Sequence, residues 1–278
     1  MRLSAGKRLK RRKLLRFDVH LTDHCNLNCK GCDNFSPIAP KCFLDKETFE
    51  KDCARLSELS GGKLEDICFL GGEPLLHPEI TGIIKIARKY FPKTSISILT
   101  NGILLLKMND EFWDCCRGNN IKITITKYPV KIDIAAIKEV SQKAEVTLSV
   151  LYEDGGRSFI YKPLNLSGKS NKKDSFTSCW HANRCIHLSN SRLSCTAVSY
   201  IEILNKAIIE VGGGGDKNQE FEVSENDYID IYKAKSIDEI LDFLAKPMPF
   251  CRYCDFSNIS FGRKWAVSAR KLSEWILE

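Results

Sequence analysis

The sequence predicts an α/β protein in which short parallel strands alternate with helices. The first half of the chain alternates apolar segments of five to seven residues with longer amphipathic segments. Its composition, 43% hydrophobic and 28% charged, is typical of a globular protein. Strands and helices that alternate in this way form βαβ units, and the loops at the carboxyl ends of such strands carry the active site.

The individual elements follow from the apolar periodicity and from the residues at each boundary. The predicted strands are 17–21, 66–70, 95–100, 121–126 and 145–151. The predicted helices are 46–59, with Asp45 as its cap, 78–90, 109–116 and 132–143. Further along, segments 184–188 and 192–196 flank Ser189–Ser191 and predict a hairpin.

A chain of 278 residues suits one large domain and a small second one. We expect a basic leader at 1–15 and the α/β domain at 16–152. Residues 153–178 are polar and rich in Gly and Lys, which predicts a linker or a loop over the substrate. A smaller domain is expected at 179–278. The run 212–215 is predicted to be a flexible turn, since it lacks the lysine and the helix of a phosphate-binding loop.

The charge and hydropathy patterns exclude some functional classes. No apolar run approaches the roughly 18 residues of a membrane-spanning helix, and the basic start lacks the apolar core of a signal peptide. We therefore predict a cytoplasmic protein without membrane partners. The net charge of +7 indicates either a solvated leader or attraction to an anionic partner such as a phosphorylated substrate. Nucleic acid is disfavoured, because no aromatic residues alternate with the basic ones in a recognisable binding surface.

Thirteen cysteines are the strongest signal in the composition. The cytosol is reducing, so tight groups of cysteines there indicate a metal ion or a cluster rather than disulfide bonds. Cys25, Cys29 and Cys32 lie within eight residues, directly after the first predicted strand. Three thiolates on one loop can bind one face of a 4Fe–4S cluster and leave the fourth iron open to a substrate or cofactor. A zinc site with His24 as fourth ligand is the alternative.

Three further polar motifs follow predicted strands. Gly71-Gly72-Glu73-Pro74 follows the second strand, Thr100-Asn101-Gly102 the third, and Thr126-Lys127 ends the fourth. Glycines permit close backbone approach, and a carboxylate can accept hydrogen bonds from an ammonium group. We expect these motifs to form one binding site with the cysteine loop, because the ends of parallel strands meet at one edge of a sheet.

The cysteine spacing C-x3-C-x2-C, followed by Gly-Gly-Glu-Pro, resembles the radical S-adenosylmethionine (radical SAM) superfamily. The resemblance covers about residues 15–152 and implies a partial (β/α)6-type barrel, followed by a small α+β domain. It implies that a 4Fe–4S cluster at the three cysteines reduces SAM, which yields methionine and a 5′-deoxyadenosyl radical. It further implies that SAM is held by the strand-end residues, namely Gly71, Gly72, Glu73, Pro74, Thr100, Asn101, Thr126 and Lys127. Gly31 departs from the family, many members of which have an aromatic residue there.

A second cysteine pattern follows in the last third of the sequence. Cys179, Asn190, Cys195 and the pair Cys251/Cys254 resemble the "twitch" extension of some family members, with Asn190 in place of glycine. Asn tolerates a positive φ, so the turn can survive. The resemblance implies an auxiliary 4Fe–4S cluster at Cys179, Cys195, Cys251 and Cys254. Cys185 is an alternative to Cys179, and zinc is an alternative to the cluster.

Twitch-bearing members include dehydrogenases and epimerases of carbohydrates and aminocyclitols, which is the function we expect. An epimerase needs a thiol that returns a hydrogen atom, and Cys185 or Cys42 is the candidate donor. The first alternative is an enzyme that epimerises or cross-links a short ribosomal peptide. The second is a non-enzymatic, metal-stapled binding protein. The expected partners are a small sugar-like or anionic substrate, or a short peptide, and a flavodoxin- or ferredoxin-type electron donor.

Overall fold

The computed structural model describes residues 14–152, 159–179, 181–211, 220–256 and 258–277. The expected leader, up to residue 13, and the glycine run 212–215 lie outside the described residues. The chain divides into two compact units. The first, here the sheet unit, contains Arg16–Leu27 and Lys41–Arg157. The second, here the mixed unit, contains Asn28–Pro40 and Ser158–Glu278 together with Leu14 and Leu15.

The sheet unit confirms the predicted α/β class. Its five strands are all parallel and lie side by side in the order of the sequence. They are β1 (Arg16–His20), β2 (Asp66–Leu70), β3 (Ser95–Thr100), β4 (Ile121–Thr126) and β5 (Leu148–Leu151). Because every strand runs in the same direction, the loops after β1, β2, β3 and β4 all leave from one edge of the sheet.

Helices connect these strands, as predicted, and differ from the predicted bounds by two residues or fewer. They are α1 (Lys46–Ser60), α2 (Ile80–Tyr90), α3 (Asp110–Gly118) and α4 (Ile134–Lys143). The predicted cap is confirmed, since the Asp45 carboxylate accepts a hydrogen bond from the Thr48 N–H at 2.8 Å. Strand β5 begins three residues later than predicted, because Glu145 has a φ of 57° and lies in a turn.

The mixed unit is made of short strands and helices. They are β6 (Phe159–Tyr161), β7 (Leu164–Asn165), α5 (Lys172–Ser178), β8 (Ile186–Ser189), β9 (Arg192–Cys195), α6 (Thr196–Val211), β10 (Ile229–Asp230), α7 (Ile237–Leu244), β11 (Ser260–Arg263) and β12 (Ile276–Leu277). The predicted hairpin is confirmed as β8 and β9, which pair antiparallel. Asn190 in its turn has a φ of 50°, the left-handed conformation that Asn tolerates.

The described part of the segment 153–178, which was expected to be a linker or a loop over the substrate, is more regular than its composition suggests. Residues 159–178 contain β6, β7 and α5, and the Asn171 side chain caps α5 by accepting from Lys173 N–H and Asp174 N–H. Strand β6 pairs with β11, and β7 pairs with β12. These strands are too short to have a clear period, and their partners lie about 100 residues away along the chain, so local sequence carried no signal for them.

The mixed unit has its own hydrophobic core. Apolar side chains of α6 pack there against aromatic residues from distant segments, among them Phe35, Phe250 and Trp275. Since Phe35 follows the cysteine motif closely, this core holds that part of the loop in place. None of the described helices is long and apolar enough to cross a membrane.

Candidate active site

The glycine pair after β2 allows two backbone segments to touch. The Gly72 N–H donates to the Thr22 carbonyl oxygen at 2.7 Å, and the Glu73 N–H donates to that of His24 at 2.9 Å. A Cβ at position 72 would lie 2.1 Å from the His24 oxygen, and one at Gly71 would lie 2.4 Å from the Thr22 oxygen. The two glycines therefore fix the backbone that leads into Cys25.

We expect Gly72→Ala to displace this backbone and to lower the free energy of unfolding by about 1–3 kcal/mol. Iron loading should fall with it, because His24 directly precedes Cys25. The measurements are urea denaturation and iron content after anaerobic reconstitution. Gly118→Ala is the matched control, since a Cβ there meets no atom within 4 Å. Equal iron content in the two variants would contradict this role for Gly72.

The Glu73 carboxylate is fully buried and joins two backbone segments, the turn after β2 and the end of β3. Its Oε1 accepts hydrogen bonds from the Leu75 N–H at 3.1 Å and the Thr100 hydroxyl at 2.6 Å, and its Oε2 accepts from the Asn101 N–H at 2.9 Å. Burial raises the pKa of Glu73 to about 7 despite these hydrogen bonds. Three of the four acceptor positions of the carboxylate are thus used within the protein.

The raised pKa of Glu73 predicts a pH-dependent stability. The folded protein holds the proton more tightly than the unfolded chain, whose carboxyl has the ordinary pKa of 4.5. The free energy of unfolding should therefore fall by roughly 3 kcal/mol as the pH rises from about 4.5 to 7. Urea denaturation at several pH values tests this, with Glu73→Gln as the comparison. If the two proteins lose stability in parallel over this range, Glu73 does not carry the effect.

Asn101 links the end of β3 to the cysteine loop. Its Nδ2 donates to the Asn26 side-chain oxygen at 2.7 Å and lies 4.0 Å from the Cys25 sulfur. Its own side-chain oxygen accepts from the Ile103 N–H at 3.0 Å. At the end of the neighbouring β4, Thr126 is buried and the Lys127 N–H donates to the Leu151 carbonyl oxygen. The sheet unit thus places the three predicted strand-end motifs at one edge.

The other two cysteines of the motif have contacts within the mixed unit. Cys29 is 7% exposed, and its sulfur accepts a hydrogen bond from the Trp265 indole N–H at 3.2 Å. The Cys32 carbonyl oxygen accepts from the Trp275 indole N–H at 2.9 Å. Gly31, which stands where many family members have an aromatic residue, has a φ of 65°. This left-handed backbone conformation favours glycine, which explains the difference locally.

The four predicted auxiliary cysteines form a group in the mixed unit. Burial, together with the charges of Cys179 and Cys251, raises the pKa of Cys195 to about 12. Burial and the charge of Cys179 likewise raise the pKa of Cys251 to about 11, and burial and the other three thiols raise that of Cys254. Among the described residues, no three His, Cys, Asp or Glu side chains lie close enough to hold one metal ion.

A pocket opens beside this group and is lined by Cys179, Cys195 and Cys254. A polar trio that the sequence analysis missed also lines it. The Lys162 ammonium lies 2.6 Å from an Asp33 carboxylate oxygen and 3.1 Å from His181 Nε2. Burial and the Lys162 charge lower the pKa of His181 to about 4, so its ring is neutral at pH 7.

The two candidate hydrogen-atom donors lie in different units. Cys42 is exposed in the sheet unit, and its carbonyl oxygen accepts a hydrogen bond from the Thr22 hydroxyl at 2.6 Å. Cys185 is half-buried in the mixed unit, and its N–H donates to the His181 carbonyl oxygen at 3.0 Å. Cys185 is not among the residues that line the pocket.

Comparison with known proteins finds a family match over part of the chain. Residues 19–130 match the model of the radical SAM superfamily. GTP 3′,8-cyclase of Streptomyces coelicolor is 36% identical over 89 residues, which are 31% of this chain and 25% of that protein. The S-adenosylmethionine-dependent nucleotide dehydratase of Flammeovirga pacifica is 39% identical over 95 residues, 32% of this chain and 31% of that protein. The chain thus spans about a quarter to a third of these relatives.

One solved structure resembles the chain over almost its whole length. It is BtrN in complex with AdoMet and 2-DOIA, which has a TM-score of 0.51 and 14% sequence identity. The match covers 96% of this chain and all of that one. At this identity the likeness concerns the fold, and it agrees with the partial radical SAM barrel expected from the motifs.

Proposed function

Since this chain belongs to the radical SAM superfamily, we propose that Cys25, Cys29 and Cys32 bind its 4Fe–4S cluster. When bound, the cluster and SAM together supply a 5′-deoxyadenosyl radical that abstracts a hydrogen atom from a substrate. The residues fit these groups: three thiols lie on one loop, and the buried Glu73 carboxylate holds the end of β3 beside the turn after β2. The contacts to SAM come from the strand-end residues, namely Gly71, Gly72, Glu73, Pro74, Thr100, Asn101, Thr126 and Lys127.

A second cluster is bound by Cys179, Cys195, Cys251 and Cys254. The supporting observations are that Cys179, Cys195 and Cys254 line one pocket, and that the charges of Cys179 and Cys251 help to raise the pKa of both Cys195 and Cys254. Cys179 is preferred to Cys185, because its charge contributes to the raised pKa of all three other thiols. When bound, a second cluster supplies an acceptor for an electron that a substrate releases.

The reaction is the dehydrogenation of a carbohydrate or aminocyclitol, and this grouping of thiols is the observation that carries the proposal. Oxidation of a CH–OH group to a carbonyl gives up one hydrogen atom to the radical, one proton and one electron, so it needs an electron acceptor. The pocket beside the thiols offers donors and acceptors for hydroxyl or amino groups in Lys162, Asp33 and His181. Epimerisation of such a substrate is the second form of the proposal, with Cys185 or Cys42 returning the hydrogen atom.

Two other substrate classes enter the test. Relatives named for GTP cyclisation make GTP the first competitor. A short peptide is the other, as the sequence analysis allowed. A flavodoxin- or ferredoxin-type electron donor and a cytoplasmic location remain predictions.

The test is a substrate panel with the reconstituted protein, SAM and dithionite under anaerobic conditions. Polyols, aminocyclitols, GTP and peptides are compared by the rate of 5′-deoxyadenosine formation and by product mass. Loss of two hydrogen atoms from a polyol or aminocyclitol supports dehydrogenation. A product whose mass is unchanged in ordinary water, and which takes up one deuterium when formed in deuterated water, supports epimerisation. Stimulation by GTP or a peptide alone would overturn the proposed substrate class, and zinc without 5′-deoxyadenosine would leave a metal-stapled binding protein.

A further inference from the structure

Residues 265–268 run alongside the loop that carries Cys29. Cys29 and Val267 form an antiparallel β-bridge. Two backbone hydrogen bonds flank it, from the Lys30 N–H to the Ala266 carbonyl oxygen at 2.9 Å and from the Ser268 N–H to that of Asn28 at 2.8 Å. This pairing fixes the position of the neighbouring Trp265 relative to Cys29.

The Trp265 side chain uses this position to contact the sulfur of Cys29. Its indole N–H donates to the Cys29 Sγ at 3.2 Å. An indole nitrogen can only donate, so the positive end of the N–H dipole faces the sulfur. Trp275 makes a similar bond to the same loop, but its acceptor is the Cys32 carbonyl oxygen and not a sulfur.

We propose that Trp265 raises the reduction potential of the cluster bound by Cys29, an inference that rests on the proposed function. A reduced cluster carries one more negative charge than the oxidised one, and part of that charge lies on the ligand sulfurs. A donor aimed at such a sulfur stabilises the reduced form more than the oxidised form. Trp265 is therefore a positioning residue that eases electron entry before SAM is cleaved.

The first test is a potentiometric EPR titration of the full-length protein with SAM bound. The signal that changes when SAM is added identifies the cluster of interest. Trp265→Phe, which removes the donor and keeps an aromatic ring, should shift the midpoint to a more negative potential. Trp275→Phe is the matched control and should leave the midpoint nearly unchanged. Equal midpoints in wild type and Trp265→Phe would overturn the proposal.

A second measurement tests the proposal even if the Trp265→Phe variant assembles no cluster. Wild-type protein is labelled with 15N at its four indole nitrogens, and pulsed EPR of the reduced state measures the coupling of 15N to the cluster. We expect a coupling that persists in Trp275→Phe. Its absence in reduced wild type would overturn the proposal. A wild type that assembles no iron–sulfur cluster would instead contradict the proposed function, so the two failures are distinct.

Discussion

Replacing Cys25, Cys29 and Cys32 together by alanine should abolish 5′-deoxyadenosine formation and remove about half of the bound iron. Two 4Fe–4S clusters correspond to roughly eight iron atoms in each chain, of which about four should remain. Cleavage should be lost because the proposed SAM-cleaving cluster would have no thiol ligands, whereas the auxiliary thiols stay intact. Iron and sulfide analysis, EPR and a 5′-deoxyadenosine assay measure the outcome.

The matched control replaces three other cysteines. Cys53, Cys68 and Cys116 are buried in the sheet unit. Burial raises the pKa of each of their thiols, as expected of apolar packing residues. Their alanine variant should keep both clusters and the cleavage activity at a modest cost in stability. SAM cleavage that survives in the first variant would show that its three cysteines do not bind the catalytic cluster.

Replacing Cys251 and Cys254 by alanine should also halve the iron but have a different effect on activity. The two remaining thiols cannot hold the auxiliary cluster, while the SAM-cleaving residues are unchanged. We therefore expect SAM cleavage without substrate to continue, and substrate oxidation to fall to background because its electron acceptor is missing. Product analysis and iron content on the same samples separate these two effects.

Cys185→Ala is the control for this second variant, and it also tests the ligand assignment. The Cys185→Ala variant should retain all the iron, whereas Cys179→Ala should lose the iron of the proposed auxiliary cluster. The opposite result would exchange the roles of the two residues. Full iron in the Cys251→Ala/Cys254→Ala protein would remove the auxiliary cluster from the proposal and leave a redox-neutral reaction such as epimerisation.

The sequence predicted the sheet unit well because each of its signals is local. Strands such as Ser95–Thr100 are bounded by polar or turn residues, and helix α1 has a capping aspartate in the expected place. The cysteine spacing and the strand-end motifs are local too. In a parallel sheet all strands run in the same direction, so the loops that follow them leave from the same edge. The strand positions alone therefore predict which loops lie together.

The mixed unit could not be predicted in the same way, because its contacts join distant segments. Lys162 and Asp33 form their ion pair across 129 positions, and the Trp265–Cys29 bond spans 236. The basic, glycine-containing composition around α5 predicted a loop, whereas tertiary packing stabilises strands and a helix there. Glu73 was predicted as a SAM contact, but its three hydrogen bonds within the protein carry no signal in the sequence.

The long separation between Cys29 and Trp265 also has a consequence for biogenesis. The loop that presents Cys29 cannot reach its final conformation on the ribosome until residues 265–275 have been synthesised and have left the exit tunnel. Closing a contact over so many residues is entropically costly and slow compared with forming a local helix. The nascent chain therefore exposes these cysteines at least until residue 275 has emerged, and assembly of the proposed cluster must wait for that point.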